Sequence, residues 1–146
     1  MLLLVALFAA SCTGDNGTGV SPLAFNPIMP NKLPEGLDVR PERTVERDKD
    51  GGERLILLYE SKSGQNKGIL RITQGEGQPV TRFDFSAREE IGGKVVYMIY
   101  AGATEWWAHF NVDGVDVFVE YLAPEGTPSD RVREAVLETV HSMIEP

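Results

Sequence analysis

An antiparallel β-sheet of about five to seven strands in a meander, with a C-terminal helix packed on one face, is the α+β fold the sequence predicts. Three observations carry it. Short runs rich in β-branched and aromatic residues alternate with Gly, Pro and Asp punctuation from about Glu35 onward. The dipeptide Asp113-Gly114 sits between two alternating runs, the pattern of a two-residue hairpin. Thr127-Pro128-Ser129-Asp130 then opens a segment in which Val132, Ala135, Val136, Val140 and Met143 recur at helical spacing.

The elements follow in chain order. Leu37 to Glu46 reads as a first strand that Pro41 interrupts, which places it at an edge, because proline cannot donate to a ladder. Asp48-Lys49-Asp50-Gly51-Gly52 is a turn. Arg54 to Glu60 is a strand with apolar residues on both faces, Ser61 to Lys67 a loop, and Gly68 to Gln74 a strand that Gly75 to Pro79 ends. Between Thr81 and Ile91 the pattern is weak, and Phe83 and Phe85 suit an extended segment. Lys94 to Tyr100 is again strand-like.

Glu105 to Tyr121 is the most informative stretch. A turn at Asp113-Gly114 sets Val112 opposite Val115, Phe110 opposite Val117, Ala108 opposite Val119 and Trp106 opposite Tyr121, so one face is wholly apolar. A slip of one residue would bury Asp113, Asp116 and Glu120 instead. If the preceding strand adds Val95, Tyr97 and Ile99 to that face, then Val96, Met98, Trp107, His109 and Phe118 gather on the other. That second face is more apolar than a solvated surface, which makes those five residues the candidate binding face for a lipophilic ligand or a protein partner. The helix follows, with Thr127 as the expected N-cap, Pro128 at the first helical position and Asp130 at the third.

The 146 residues make one domain at most, and 22 acidic against 14 basic residues give a net charge of −8, which argues against a protein that grips nucleic-acid phosphates. A single cysteine excludes an internal disulfide and a Cys-rich metal site. No H-E-x-x-H, H-x-x-x-H or G-x-S-x-G motif occurs, so neither a metal nor another cofactor is expected, and His109 and His141 sit in different settings. Asp48-x-Asp50-Gly51 lacks the remaining ligands of a calcium loop. Gly75-Glu76-Gly77 leads into Gln78-Pro79 rather than a helix, so no helix dipole awaits a phosphate. Acid pairs such as Glu89 and Glu90, or Asp116 and Glu120, are what a carboxylate-based hydrolase would require, but so many acids make such pairs by chance.

Residues Leu2 to Ala10 are nine apolar or small residues in a row. At about 1.5 Å per residue they cover roughly 14 Å, half the thickness of a hydrocarbon core, so the run suits a signal peptide rather than a membrane span. Ala9-Ala10-Ser11-Cys12, preceded by Phe8, resembles the lipobox of bacterial lipoproteins. The resemblance implies cleavage after residue 11 and acylation of Cys12 with palmitate-like chains, which would hold the protein at the cell membrane or outer membrane on the extracytoplasmic side. Thr13, standing where an Asp would mark inner-membrane retention, implies no such retention. Residues 12–34 are then an anchored cysteine and a Gly/Pro-rich tether whose second half carries Leu23, Phe25, Ile28 and Met29, side chains suited to lying along the domain of residues 35–146.

Leu33-Pro34-Glu35-Gly36, the run ending Ile72-Thr73-Gln74, Ile91-Gly92-Gly93-Lys94, Trp107 ahead of Asp113-Gly114 and the closing helix together resemble a family of small bacterial extracytoplasmic domains, distantly similar to the lipoprotein-carrier half-barrel. The resemblance implies a cell-envelope module and carries over no catalytic residue. The expected function is non-enzymatic binding of a ligand or protein. The alternatives are a structural or sensory interaction module whose second face is sealed, or a hydrolase using Glu89 or Glu120.

Overall fold

A computed structural model describes residues 22–61, 68–76 and 85–146. Seven strands, β1 (Glu42–Arg47), β2 (Glu53–Glu60), β3 (Ile69–Glu76), β4 (Ala87–Ile91), β5 (Lys94–Gly102), β6 (Glu105–Val112) and β7 (Val115–Leu122), precede one helix, α1 (Ser129–Ile144). All pairings are antiparallel, and the strand order is β1-β2-β3-β7-β6-β5-β4. The meander is thus two local ones, β1 to β3 and β4 to β7, joined where β3 pairs with β7. The expected signal peptide, Cys12, the first half of the tether, Phe83 and most of the loop from Ser61 to Lys67 lie outside the described residues.

Proline and glycine place the strand ends. β1 starts directly after Pro41 and is an edge strand, as Pro41 requires. Upstream of it, Leu37 makes only an isolated bridge to Ser61. The Asp48 carboxylate accepts the amides of Asp50 and Gly52, 3.0 and 2.7 Å away, so the supposed fragment of a calcium loop spends its first acid on its own turn. β3 runs further than expected: Gly75 does not end it but pairs with Asp116, and the strand continues to Glu76. At the β6–β7 turn Asp113 and Gly114 have φ of 52° and 88°, the two positive values of a type I′ hairpin, and Val112, Phe110, Ala108 and Trp106 oppose Val115, Val117, Val119 and Tyr121.

The core lies on one face of the sheet. Leu55, Leu57, Leu70, Ile72, Val96, Met98, Ala108, Phe110, Val117 and Val119 are fully or almost fully buried there, beneath Val132, Val136, Val140 and Met143 of α1. Each of these side chains except Ala108 contributes roughly 1.5–3 kcal/mol by leaving water. The helix starts one residue later than the expected cap. Thr127 turns its hydroxyl back to the carbonyl of Pro124 at 2.7 Å, Pro128 is the N-cap and makes no side-chain cap bond, and Asp130 Oδ1 accepts the Arg131 amide at 3.0 Å. Asp130 in that turn still complements the helix dipole.

α1 packs on β6 and β7, and residues 22–34 share the same side of the sheet. Phe25 is buried within the core, and Leu23, Ile28 and Leu33 pack against it, whereas Met29 stays exposed. The second half of the expected tether is therefore structurally part of the domain.

Candidate binding face

The face of the sheet away from α1 carries a row of side chains in register. Ile56, Thr73, Phe118, His109, Tyr97 and Arg88 lie side by side across six strands. A parallel row contains Leu58, Arg71, Glu120, Trp107 and Ile99. Ring centroids mark an aromatic run: Phe85 to Tyr97 is 4.9 Å, Tyr97 to His109 6.5 Å, His109 to Phe118 6.4 Å and Phe118 to Trp107 5.8 Å. These separations fall within the range where offset and edge-to-face aromatic pairs attract.

Three of the five residues expected on this face are there: Trp107, His109 and Phe118. Val96 and Met98 are not. Both are fully buried on the α1 side, and Tyr97 and Ile99 take their places. The cause is an irregularity between Tyr100 and Gly102. Gly102 pairs with Glu105 across a two-residue turn, but Tyr100 pairs with Trp106 instead of Trp107, so Ala101 is an extra residue that shifts the rest of β5 by one. With a period of two, one residue exchanges the faces.

Polar groups frame the aromatic run. The indole N–H of Trp107 donates to Glu105 Oε1 at 2.7 Å. Arg71 lies 3.3 Å from Glu120, yet burial raises the Glu120 carboxyl above its ordinary value, Arg71 opposing and Glu105 adding to the rise. His109 Nε2 is 3.6 Å from Asp116 Oδ1, which already accepts from the Asn111 amide at 3.0 Å. Burial holds the imidazole below its ordinary value despite that carboxylate. At neutral pH the ring is uncharged. Two buried polar atoms here have no hydrogen-bond partner: His109 Nδ1 and Thr73 Oγ1, one on each side of Phe118. Such atoms are uncommon, and each costs roughly 1–3 kcal/mol if left unmet.

The candidate acids do not converge. Glu89 faces α1 and pairs with Arg133, whereas Glu90, one residue on, points to the other face. Asp116 and Glu120 share a face of β7 but stand four residues apart, about 13 Å along a strand. That exceeds the separation of either type of glycosidase pair, at most about 9.5 Å. His141, on α1, is paired with Glu145 at 2.9 Å and belongs to a different surface from His109. Among the described residues no group of three or more His, Cys, Asp or Glu is placed to hold a metal ion.

Sequence reasoning missed Thr73, Tyr97 and Ile99 as members of this face. Thr73 was legible as an outward residue of its strand, and the other two were assigned to the wrong side by the one-residue shift. Compared with family models, curated proteins and solved structures, the chain matches none of them.

Proposed function

We propose that the protein is a non-enzymatic, lipid-anchored module of the cell envelope that binds an apolar ligand on the sheet face around Trp107, His109 and Phe118. The observation that carries this reading is the pair of unpartnered atoms, His109 Nδ1 and Thr73 Oγ1, on either side of Phe118 in a row that also holds Ile56 and Tyr97. A neutral imidazole that turns Nε2–H toward Asp116 leaves Nδ1 as an acceptor. A flat apolar ligand with one hydrogen-bond donor would cover the rings and, once the imidazole turns outward, satisfy that atom. The apolar run ahead of Cys12 supports the anchor.

Binding is tested by native mass spectrometry of protein extracted from its own membranes, comparing the unsubstituted chain with Trp107→Ala and Phe118→Ala. Intact folding with loss of a co-purifying small molecule supports the ligand face. Loss of stability with no bound molecule in any sample favours the second reading, a structural or sensory module in which this face is sealed; the close Trp107–Phe118 contact favours that reading. The anchor is tested separately by radiolabelled palmitate incorporation, which Cys12→Ala should abolish.

A further inference from the structure

Residues 22–34 are held by domain side chains that read their backbone. Glu53 Oε2 accepts the Ala24 amide at 2.6 Å, and Ser142 Oγ accepts the amides of Asn31 and Lys32 at 3.1 and 3.0 Å. Between them, the Gln74 side chain accepts the Ile28 amide and donates to the Ile28 carbonyl, both at 2.7 Å. Gln74 is fully buried, and its cross-strand neighbours on that face are Leu55 and Val117. An apolar residue there would close the core at no polar cost. An amide instead is stabilised only when an extended backbone lies in register above it. Phe25 is the aromatic side chain of the segment and is buried in the core, with Leu23, Ile28 and Leu33 partly buried against it. No residue of the segment belongs to the ladder of strands.

These are the features of a groove that recognises an extended peptide with an aromatic anchor, here filled by the chain itself. We propose that the same groove accepts residues 22–34 of a second copy of this chain, giving a pair of molecules with exchanged segments. The fit of that occupant is the one already seen, since every bond made within one chain can be remade between two. A hinge is available at Glu35-Gly36, both exposed, where Gly36 has a φ of 86° and open space around it. Exchange of identical elements adds no new interface chemistry, so concentration decides between the closed monomer and the pair. The attached segment competes at an effective concentration on the order of millimolar.

The test mixes two full-length variants in a Cys12→Ala background, Ala24→Cys, with a thiol on the segment, and Glu53→Cys, with a thiol on the groove at the position that accepts the Ala24 amide. Mild oxidation then links the two sulfurs between chains only where the segment of one lies in the groove of the other. The expected result is a disulfide-linked pair containing one of each variant, resolved by mass and formed at least about tenfold more than in a control in which Ala24→Cys is mixed with an exposed Asp130→Cys. Folded monomers alone, or linked pairs no more abundant than in the control, overturn the proposal. If either variant fails to fold, a synthetic peptide of residues 22–34 is added to the unsubstituted chain at about millimolar concentration, matching the local competitor. Faster hydrogen exchange at the Ile28, Asn31 and Lys32 amides then supports exchange, and unchanged rates at those amides overturn it.

Discussion

Trp106 and Trp107, consecutive in β6, anchor opposite faces of the sheet: the indole N–H of Trp106 donates to Ser129 Oγ at 2.9 Å, and that of Trp107 donates to Glu105 Oε1 at 2.7 Å. Trp106 fixes the head of α1, and the Arg133 guanidinium lies 5.8 Å over its ring. Because the N-cap of α1 is Pro128, which makes no side-chain cap bond, this indole is the attachment that ties the head of the helix to the sheet. Trp106→Phe should lower stability by about 1–2 kcal/mol, the worth of a hydrogen bond with some cation–π loss. Urea unfolding of Trp106→Phe and Ser129→Ala measures it; a null effect in both would show that the helix head is held by its apolar stripe alone.

The β6–β7 hairpin depends on a backbone conformation that only a few residues tolerate. Gly114 has φ of 88° with nothing nearby to clash, so an added methyl group acts through the backbone alone. Gly114→Ala is expected to cost about 1–2 kcal/mol. Thermal unfolding should show the loss, with the far-ultraviolet spectrum of the folded protein unchanged.

His109 gives the fold a pH dependence of definite sign. Burial lowers its folded value below the ordinary 6.5, with Asp116 opposing. Its contribution to stability is therefore present above about pH 6.5 and is lost as pH falls through the folded value, when the buried ring must take a proton. Unfolding midpoints measured between about pH 7 and 5 should decline more steeply for the unsubstituted chain than for His109→Phe. Parallel curves would remove His109 from the cause.

Glu120 behaves with the opposite sign. Burial raises its folded value above the ordinary 4.5, so its contribution is fully present below pH 4.5 and is lost as pH rises through the folded value. Glu120→Gln should thus leave stability at neutral pH unchanged or slightly higher, even though Arg71 loses a partner. The same variant tests the hydrolase alternative, since any turnover in a broad substrate screen that disappears with Glu120→Gln would overturn the non-enzymatic reading.

The parts of the fold legible in the sequence were those encoded by residues with unusual backbone freedom or by long periodic runs. Asp113-Gly114 was such a signal, and four cross-strand pairs followed from it. The stripe from Val132 to Met143 was another. The β5–β6 connection was not legible, because Ala101 looks like any turn residue and nothing local marks it as an insertion into a strand. That one residue decides whether Met98 or Tyr97 joins Trp107, so the β6 and β7 members of the candidate face, Trp107, His109 and Phe118, are legible in the sequence and the two from β5 are inverted. Gln74 was hidden for a different reason: a polar residue at the end of a strand reads as solvated, and its partner lies 46 positions earlier.

The strand order also determines what the chain must endure while it is being made. β3 finds its second neighbour only in β7, the last strand to be synthesised. Translation at about 5–20 residues per second leaves the early three-stranded ribbon waiting for several seconds with one bare flank and with Leu55, Leu57, Leu70 and Ile72 uncovered. The nascent ribbon then exposes an unpaired edge and apolar side chains that the finished sheet covers, and that interval is when a holding chaperone has something to grip. In the finished sheet the outer borders are the charged strands ERTVER and AREEI, which discourage further copies from adding on.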